Sequence, residues 1–439
     1  MKHPAHKTIS LFLLFLLFLI AGCTDFDDNA RLFSAENLKN HGAIFEKKSE
    51  LYQTLKKATA NEVSAGEEPP CVEIIYPLSL VKYDSELRPI GSANVKSDAQ
   101  FSQLLSNLPE EESLSISFPI KTVLADNTTY TVNNNSELNI ALNNCTRDDI
   151  IRTFTDAFVS PFEIKSIFWK VKYSENGDNT YYSGIFQIST GGFLTFYYNN
   201  KKYHGTWFFL MVDDKLHLNI NLDDTSEVGK YWNMDNAMEL NGPEMIIKTL
   251  PKNILLEQII ESRIVYKVGD KGPSKGTIFY DKGEYTNGWR YIEAASNDLK
   301  SSEWGCASSA ITKARNSEIG RGAYNTAQIL RYHDSLVNYY KNPAICNPAN
   351  DGSLLAKYAV RYIQEQSADW FLPSSEELEL IHKNLYLNNL ENLTNSNYWS
   401  STEINEAAVS TILFETGEKV STPKIPAKNT VKARAIRYF

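Results

Sequence analysis

The chain has 439 residues, 42% hydrophobic and 22% charged, with a formal net charge of −9. That composition is ordinary for globular protein and excludes collagen-like, coiled-coil and wholly disordered chains; the negative balance argues against a general nucleic-acid binder. The seven histidines and five cysteines are too scattered for a zinc protein, and the length fits about two to four domains.

Lys2 and Lys7 flank the start of the chain, and a 13-residue apolar run, Ile9 to Ala21, follows. A spanning helix needs about 20 residues, so the run reads as the apolar core of a secretion signal. Its exit, Ile20-Ala21-Gly22-Cys23, resembles the bacterial lipoprotein box. The resemblance implies a signal peptide over residues 1–22 and lipidation of the Cys23 sulfur, which anchors the mature chain to a membrane. Ordinary secretion with a free cysteine is the alternative. Thr24-Asp25-Phe26-Asp27-Asp28 resembles the surface-export signal of Bacteroidetes lipoproteins, which implies an outer-membrane lipoprotein exposed at the cell surface. A solvated tether is a compatible reading. Residues 23–262 carry 21 basic and 34 acidic side chains, against 21 and 19 in residues 263–439. Anionic lipid repels the acidic half, so the lipid group and not surface charge would hold it at a membrane.

Residues 23–70 form a polar tether that closes on Gly66-Glu67-Glu68-Pro69-Pro70. Ile44, Phe45, Leu51, Tyr52 and Leu55 recur at helical spacing and predict one short helix within it. Residues 71–150 hold a weak repeat. Ile74-Ile75-Tyr76-Pro77-Leu78 matches Ile116-Ser117-Phe118-Pro119-Ile120, and Val95 to Phe101 matches Val132 to Leu138. Each copy reads strand, turn, strand, short helix, with Ser97 or Asp98 and Asn135 or Ser136 as helix caps. Two such units predict a small α+β domain sharing one sheet.

Residues 160–255 are rich in aromatics: 17 fall in the 71 residues from Phe162 to Trp232, about twice the chain average of 12%. Leu216, Leu218, Ile220 and Leu222 alternate with His217, Asn219 and Asn221, a strand period. Tyr198-Asn199-Asn200-Lys201 and Val212-Asp213-Asp214-Lys215 read as hairpin turns. Short strands at this spacing predict an antiparallel barrel or sandwich. The order Trp169, Gly184, Phe186, Gly191-Gly192, Gly205-Thr206-Trp207 resembles the lipocalin-like domains of bacterial lipoproteins. The many large rings favour a barrel filled by side chains over one that encloses a ligand.

Residues 263–439 carry the most specific series of landmarks. They are Val268-Gly269-Asp270, Gly276-Thr277-Ile278-Phe279-Tyr280, Trp304-Gly305-Cys306, Ile319-Gly320-Arg321-Gly322, Asn325-Thr326, Asp369 to Ser374, Tyr398 to Glu403 and Val431 to Arg437. This order resembles the C-terminal domain of Legionella collagen-like proteins and the Fibrobacter major-paralogue domain. It implies an α+β domain related to C-type-lectin-like and formylglycine-generating-enzyme-like folds, found mostly in surface proteins with adhesion or ligand display as the usual suggestions. Locally, Ser374 and Glu377 form a capping box, Asn325 reads as a helix cap, and the last strand reads as tied into a sheet.

Cys71, Cys145, Cys306 and Cys346 remain besides Cys23. Four cysteines allow three connectivities, and pairing within each domain, Cys71 with Cys145 and Cys306 with Cys346, is simplest in an oxidising compartment. Free thiols and a copper site at Cys306 are the other readings. Gly320-Arg321-Gly322 lacks the third glycine of a nucleotide loop and the strand before it, and Asn347 to Gly352 has Ala349 at a calcium-ligand position. No metal, cofactor or catalytic residue is expected. The chain therefore reads as a multidomain, non-enzymatic lipoprotein that binds a glycan, protein or matrix ligand through its C-terminal domain, with Trp289, Trp370 and Trp399 as candidates to stack on it. A structural envelope lipoprotein docking a partner, or an enzyme on the C-terminal fold, are the alternatives.

Overall fold

The computed structural model describes residues 42–60, 72–159, 167–259, 261, 264–365, 367–425 and 430–439. The expected signal peptide, Cys23 and Cys71 lie outside the described residues. Packing divides the chain between Ile150 and Ile151 into two compact units.

The first unit runs β1 (Phe45–Glu46), α1 (Glu50–Ala58), β2 (Glu73–Ile74), β3 (Leu78–Tyr83), β4 (Pro89–Val95), α2 (Asp98–Ser106), β5 (Ser113–Ile116), β6 (Ile120–Val123), β7 (Thr129–Val132) and α3 (Asn135–Leu142). Ser49 caps α1 by accepting from the Tyr52 N–H, and Leu51, Tyr52 and Leu55 bury one face of the helix. Tyr52 donates its hydroxyl proton to the Leu105 carbonyl at 2.8 Å, and β1 pairs with β5. The segment that composition assigns to the tether is thus folded into this unit from Phe45 to Ala58.

Both repeats form the predicted hairpin and helix, β3–β4–α2 and β6–β7–α3. They do not share one sheet. The sheets are β1-β5-β3-β4 and β2-β6-β7, all antiparallel. The strand leading into each copy pairs with the other copy's hairpin: β2 with β6, and β5 with β3. Ser97 caps α2. Asn134, one residue before the predicted position, caps α3. Its Oδ1 accepts the Glu137 N–H at 2.9 Å, and the Glu137 carboxylate in turn accepts the N–H of Asn133, the residue before the cap, at 2.9 Å. Asn135 instead donates to the Gly42 carbonyl at 2.6 Å. Cys145 is disulfide-bonded.

Helix α4 (Arg147–Val159) leads into the second unit. Its strands β8 (Ile167–Val171), β9 (Ile185–Ile188), β10 (Phe193–Tyr198), β11 (Lys201–Val212), β12 (Lys215–Leu222), β13 (Met234–Asn241), β14 (Glu244–Ile247) and β15 (Ile254–Ile259) form a closed antiparallel barrel of eight. Each strand pairs with its neighbour in sequence, and β15 closes on β8. The alternation predicted at β12 is present: Leu216, Leu218, Ile220 and Leu222 are buried and the residues between are not. Asn199 and Asn200, at φ 51° and 55°, make the tight turn between β10 and β11 that needs positive φ at both positions.

Register places Trp169, Phe186 and Phe196 side by side on the inner face, and Trp207 and Phe209 opposite Ile220 and Leu218 on the same face. Phe158 of α4 lies 5.3 Å from Trp169, 4.7 Å from Trp207 and 5.3 Å from Phe209. Trp232, on the short helix α5 (Glu227–Trp232), meets Phe186 at 4.7 Å and Phe196 at 5.2 Å. These rings occupy the interior.

The rest of the unit comprises β16 (Thr277–Thr286), β17 (Trp289–Asp298), α6 (Gly322–Ser335), α7 (Leu355–Val360), α8 (Ser375–Ile381), β18 (Asn397–Glu403), β19 (Ala408–Leu413), β20 (Glu418–Pro423), β21 (Val431–Lys432) and β22 (Arg434–Tyr438). The sheets are β16-β17-β22 and β20-β19-β18-β21. The final strand is tied to β17, as expected, with Ile292 opposite Tyr438. The Ser374–Glu377 capping box starts α8. Helix α6 begins earlier than the Asn325 reading: Arg321 precedes it, and buried Asn325 donates to the Asn316 carbonyl at 2.6 Å instead of capping. Cys306 and Cys346 form a disulfide with Cα atoms 5.6 Å apart.

Barrel and C-terminal part share packing. All five residues of β8 are buried, because Trp169 faces the barrel interior while Lys170 faces the C-terminal part. Tyr182, from the loop before β9, joins the C-terminal core with Trp304, Trp370 and Trp399.

His333 on α6 is fully buried in this core. Its Nε2 accepts the Cys306 N–H at 2.9 Å, and its Nδ1 donates to the Ile329 carbonyl at 2.7 Å. The accepting Nε2 requires the neutral ring, with its proton on Nδ1. Burial pushes its pKa down to about 4, against the weaker upward pull of the Ile329 carbonyl. A depressed folded-state value means that the unfolded chain takes up the proton first as pH falls. The stability contributed is complete above the unfolded value near 6.5 and is lost between there and about 4, amounting to about 3 kcal/mol. Urea denaturation at pH 7 and pH 4.5 is expected to show a loss of that order that His333→Gln flattens; an equal loss in both proteins contradicts the assignment.

Candidate functional site

A cavity of about 450 Å³ lies between the barrel wall and the C-terminal part, within the range of ligand sites. Its barrel side follows from register. Lys170, Ile185, Tyr197 and Lys202 stand opposite one another across β8, β9, β10 and β11, in a row on the outer face. The Asn199–Asn200 turn and Lys201 extend the row. The C-terminal side comes from Tyr280, Lys282, the Asn287–Gly288 turn and Trp289 of the β16–β17 hairpin, and from Ile319 to Arg321 and Tyr324 around the start of α6.

Among the described residues five lining residues are cationic, Lys170, Lys201, Lys202, Lys282 and Arg321, and none is a carboxylate. Lys170 is committed: its ammonium pairs with Asp369 at 2.9 Å, with both side chains nearly buried. Lys282 sits 3.7 Å from the centre of the Trp289 ring and donates to the Thr286 carbonyl at 2.6 Å. Burial lowers its pKa to about 8, with Glu284 pulling weakly the other way. Arg321 donates from Nη1 to the Asn199 Oδ1 at 2.7 Å across the cavity mouth. Its Nε is buried without a hydrogen-bond partner among the described residues, and the Glu318 carboxylate is 3.9 Å away. Among the described residues no carboxylate lies within ion-pair distance of Lys201, Lys202 or Lys282. Tyr324, packed on Tyr198 at 5.4 Å, and Tyr197 supply aromatic surface.

Only one of the three tryptophans expected at a site lines this cavity. Trp370 and Trp399 are 0% and 1% exposed in the core, so neither can present a face to a ligand. Their runs, Trp370-Phe371-Leu372 and Tyr398-Trp399, are apolar on both sides and read equally well as core. Trp289 does line the cavity, but Tyr438 stacks on it at 4.7 Å and 21° while Lys282 lies over the ring. Both indole faces are therefore engaged, and its role is to carry the lysine. Sequence reasoning missed Lys201, Lys202, Lys282 and Arg321. They come from three segments, Lys201-Lys202, Lys282 and Gly320-Arg321-Gly322, which lie far apart in sequence.

No protein-family model matches the chain, and no curated protein is significantly similar to it.

Proposed function

We propose that the protein is a non-enzymatic binding lipoprotein of the bacterial outer-membrane surface, and that its ligand occupies the basic cavity between the barrel and the C-terminal part. The observation that carries this reading is a cavity lined, among the described residues, by five cations and no carboxylate, with Lys282 held on Trp289. The N-terminal lipoprotein box supports the anchor. The filled, closed eight-stranded barrel supports a lipocalin-like module used as a wall and not as a container. The landmark order from Val268 to Arg437 supports a C-type-lectin-like C-terminal domain that displays the other wall.

The test is saturable binding of the purified mature chain to an array of glycans and matrix proteins. Trp289→Ala, which releases Lys282, is expected to weaken a positive interaction about tenfold or more while the melting transition remains cooperative. An array without saturable binding, or a folded Trp289→Ala protein that binds as the parent does, overturns the reading. A second reading, an envelope lipoprotein docking a protein partner, draws support from Phe193 and Phe208, 63% and 50% exposed on the wall of the filled barrel.

A further inference from the structure

Resting on that reading, we infer that the cavity takes a compact organic dianion: a phosphate monoester carried on a ring. Lys170 is neutralised by Asp369, which leaves Lys201, Lys202, Lys282 and Arg321 to meet the ligand. Among the described residues, only Arg321 of these four has a carboxylate within 4 Å, and that contact is at the limit. A single carboxylate or sulfate ester brings one negative charge to this cluster. A phosphate monoester brings about −1.5 to −2 at neutral pH, with three strong acceptor oxygens.

The donors match such a group. Lys282 spends one N–H on the Thr286 carbonyl and keeps the others, on a stem fixed by Trp289. Arg321 lines the same cavity, and the bond from its Nη1 to Asn199 holds the guanidinium in place. A fixed guanidinium and a fixed ammonium on the walls of one cavity suit an oxyanion with several acceptors. The ring is inferred from the remaining walls. Tyr197, Tyr280 and Tyr324 are half-buried, and the amides of Asn200 and Asn287 lie at the edge. A volume of about 450 Å³ leaves room for a ring beyond the phosphate.

The experiment is calorimetric titration of the mature chain with three matched probes, p-nitrophenyl phosphate, p-nitrophenyl sulfate and p-nitrophenyl β-glucoside, and with inorganic phosphate. The phosphate ester is expected to bind at least tenfold tighter than each of the other three. Lys282→Gln and Arg321→Gln are each expected to weaken it about tenfold with melting unchanged. If the sulfate or the glucoside binds as well as the phosphate ester, the dianion assignment is wrong and the binding function stands. Inorganic phosphate binding as tightly as the ester removes the ring from the assignment. If no probe binds while the array gives a ligand sensitive to Trp289→Ala, this inference alone fails; if the array is also blank, the proposed function fails with it.

Discussion

Replacing Asp369 with Asn is expected to destabilise the second unit by about 3–5 kcal/mol, because it removes one partner of a buried charge cluster and leaves another charge unpaired. Asp369 accepts from Lys170 of the barrel at 2.9 Å and from Nε of Arg437 at 2.7 Å. Arg437 also pairs with Glu293 at 2.9 Å, and Glu293 accepts the Gly276 N–H at 3.0 Å. Burial by itself raises the Asp369 carboxyl, but the charges of Arg437 and Lys170 overcome it and hold the group well below the usual carboxylate range. The carboxylate therefore stays ionised throughout the neutral range, and its contribution is present above the ordinary value near 4 and fades only in stronger acid. In the variant, Arg437 keeps Glu293 but Lys170, with its side chain 5% exposed, has no counter-charge. Adding Lys170→Met to Asp369→Asn should restore part of the loss, since it removes the orphan. Urea unfolding followed by tryptophan fluorescence measures both. A single-variant loss below about 1 kcal/mol, or a double variant no more stable than the single one, contradicts the account.

That cluster explains why the barrel and the C-terminal part read as separate domains in the sequence. Each has its own periodicity and landmarks, and the groups that join them are single residues in unrelated segments. One local signal did exist. Ile167-Phe168-Trp169-Lys170-Val171 does not alternate, and a strand apolar on both faces is buried on both. A lysine inside such a run calls for a buried carboxylate elsewhere, which Asp369 supplies.

Features encoded within a short window were legible: the β12 alternation, the Asn199–Asn200 turn, the Ser374 capping box and both repeat hairpins. The division of the repeats between two sheets was not. It rests on β2 and β5, strands of two and four residues that carry no usable period, and which hairpin each joins is a tertiary choice. The cavity was illegible for a related reason. Tyr198-Asn199-Asn200-Lys201 was legible as a turn, but turn chemistry says nothing about what a turn faces. Trp370 and Trp399 show the converse error. Aromatic residues serve cores and binding sites alike, and apolar neighbours on both sides mark the core.

Glu403→Gln is expected to be the second large loss, about 3–5 kcal/mol near neutral pH. Glu403 and Lys424 are paired at 2.6 Å with both side chains fully buried. Lys424 also donates to the Ser309 carbonyl at 2.7 Å, and Glu403 accepts the Ile311 N–H at 2.7 Å and the Arg315 guanidinium at 2.9 Å. The pair thus fixes the stretch that follows the Cys306 disulfide. Its two halves are not equivalent. In Lys424→Met, Glu403 retains Arg315 and Ile311, so that variant should lose less. In Glu403→Gln, Lys424 keeps only the weaker pull of Glu406. Burial already pulls its pKa down, and Glu403 is the main group opposing that. Without Glu403 the folded protein must either bury the charge or release the proton, while the unfolded chain keeps it. The unfolded state then binds more protons, so the stability of Glu403→Gln should rise with pH between 7 and 9 more steeply than that of the parent. Denaturation midpoints of the parent and both variants at these two pH values test the asymmetry. Equal losses in the two variants, or a pH slope in Glu403→Gln no steeper than the parent's, means that the charge is not confined as the geometry requires.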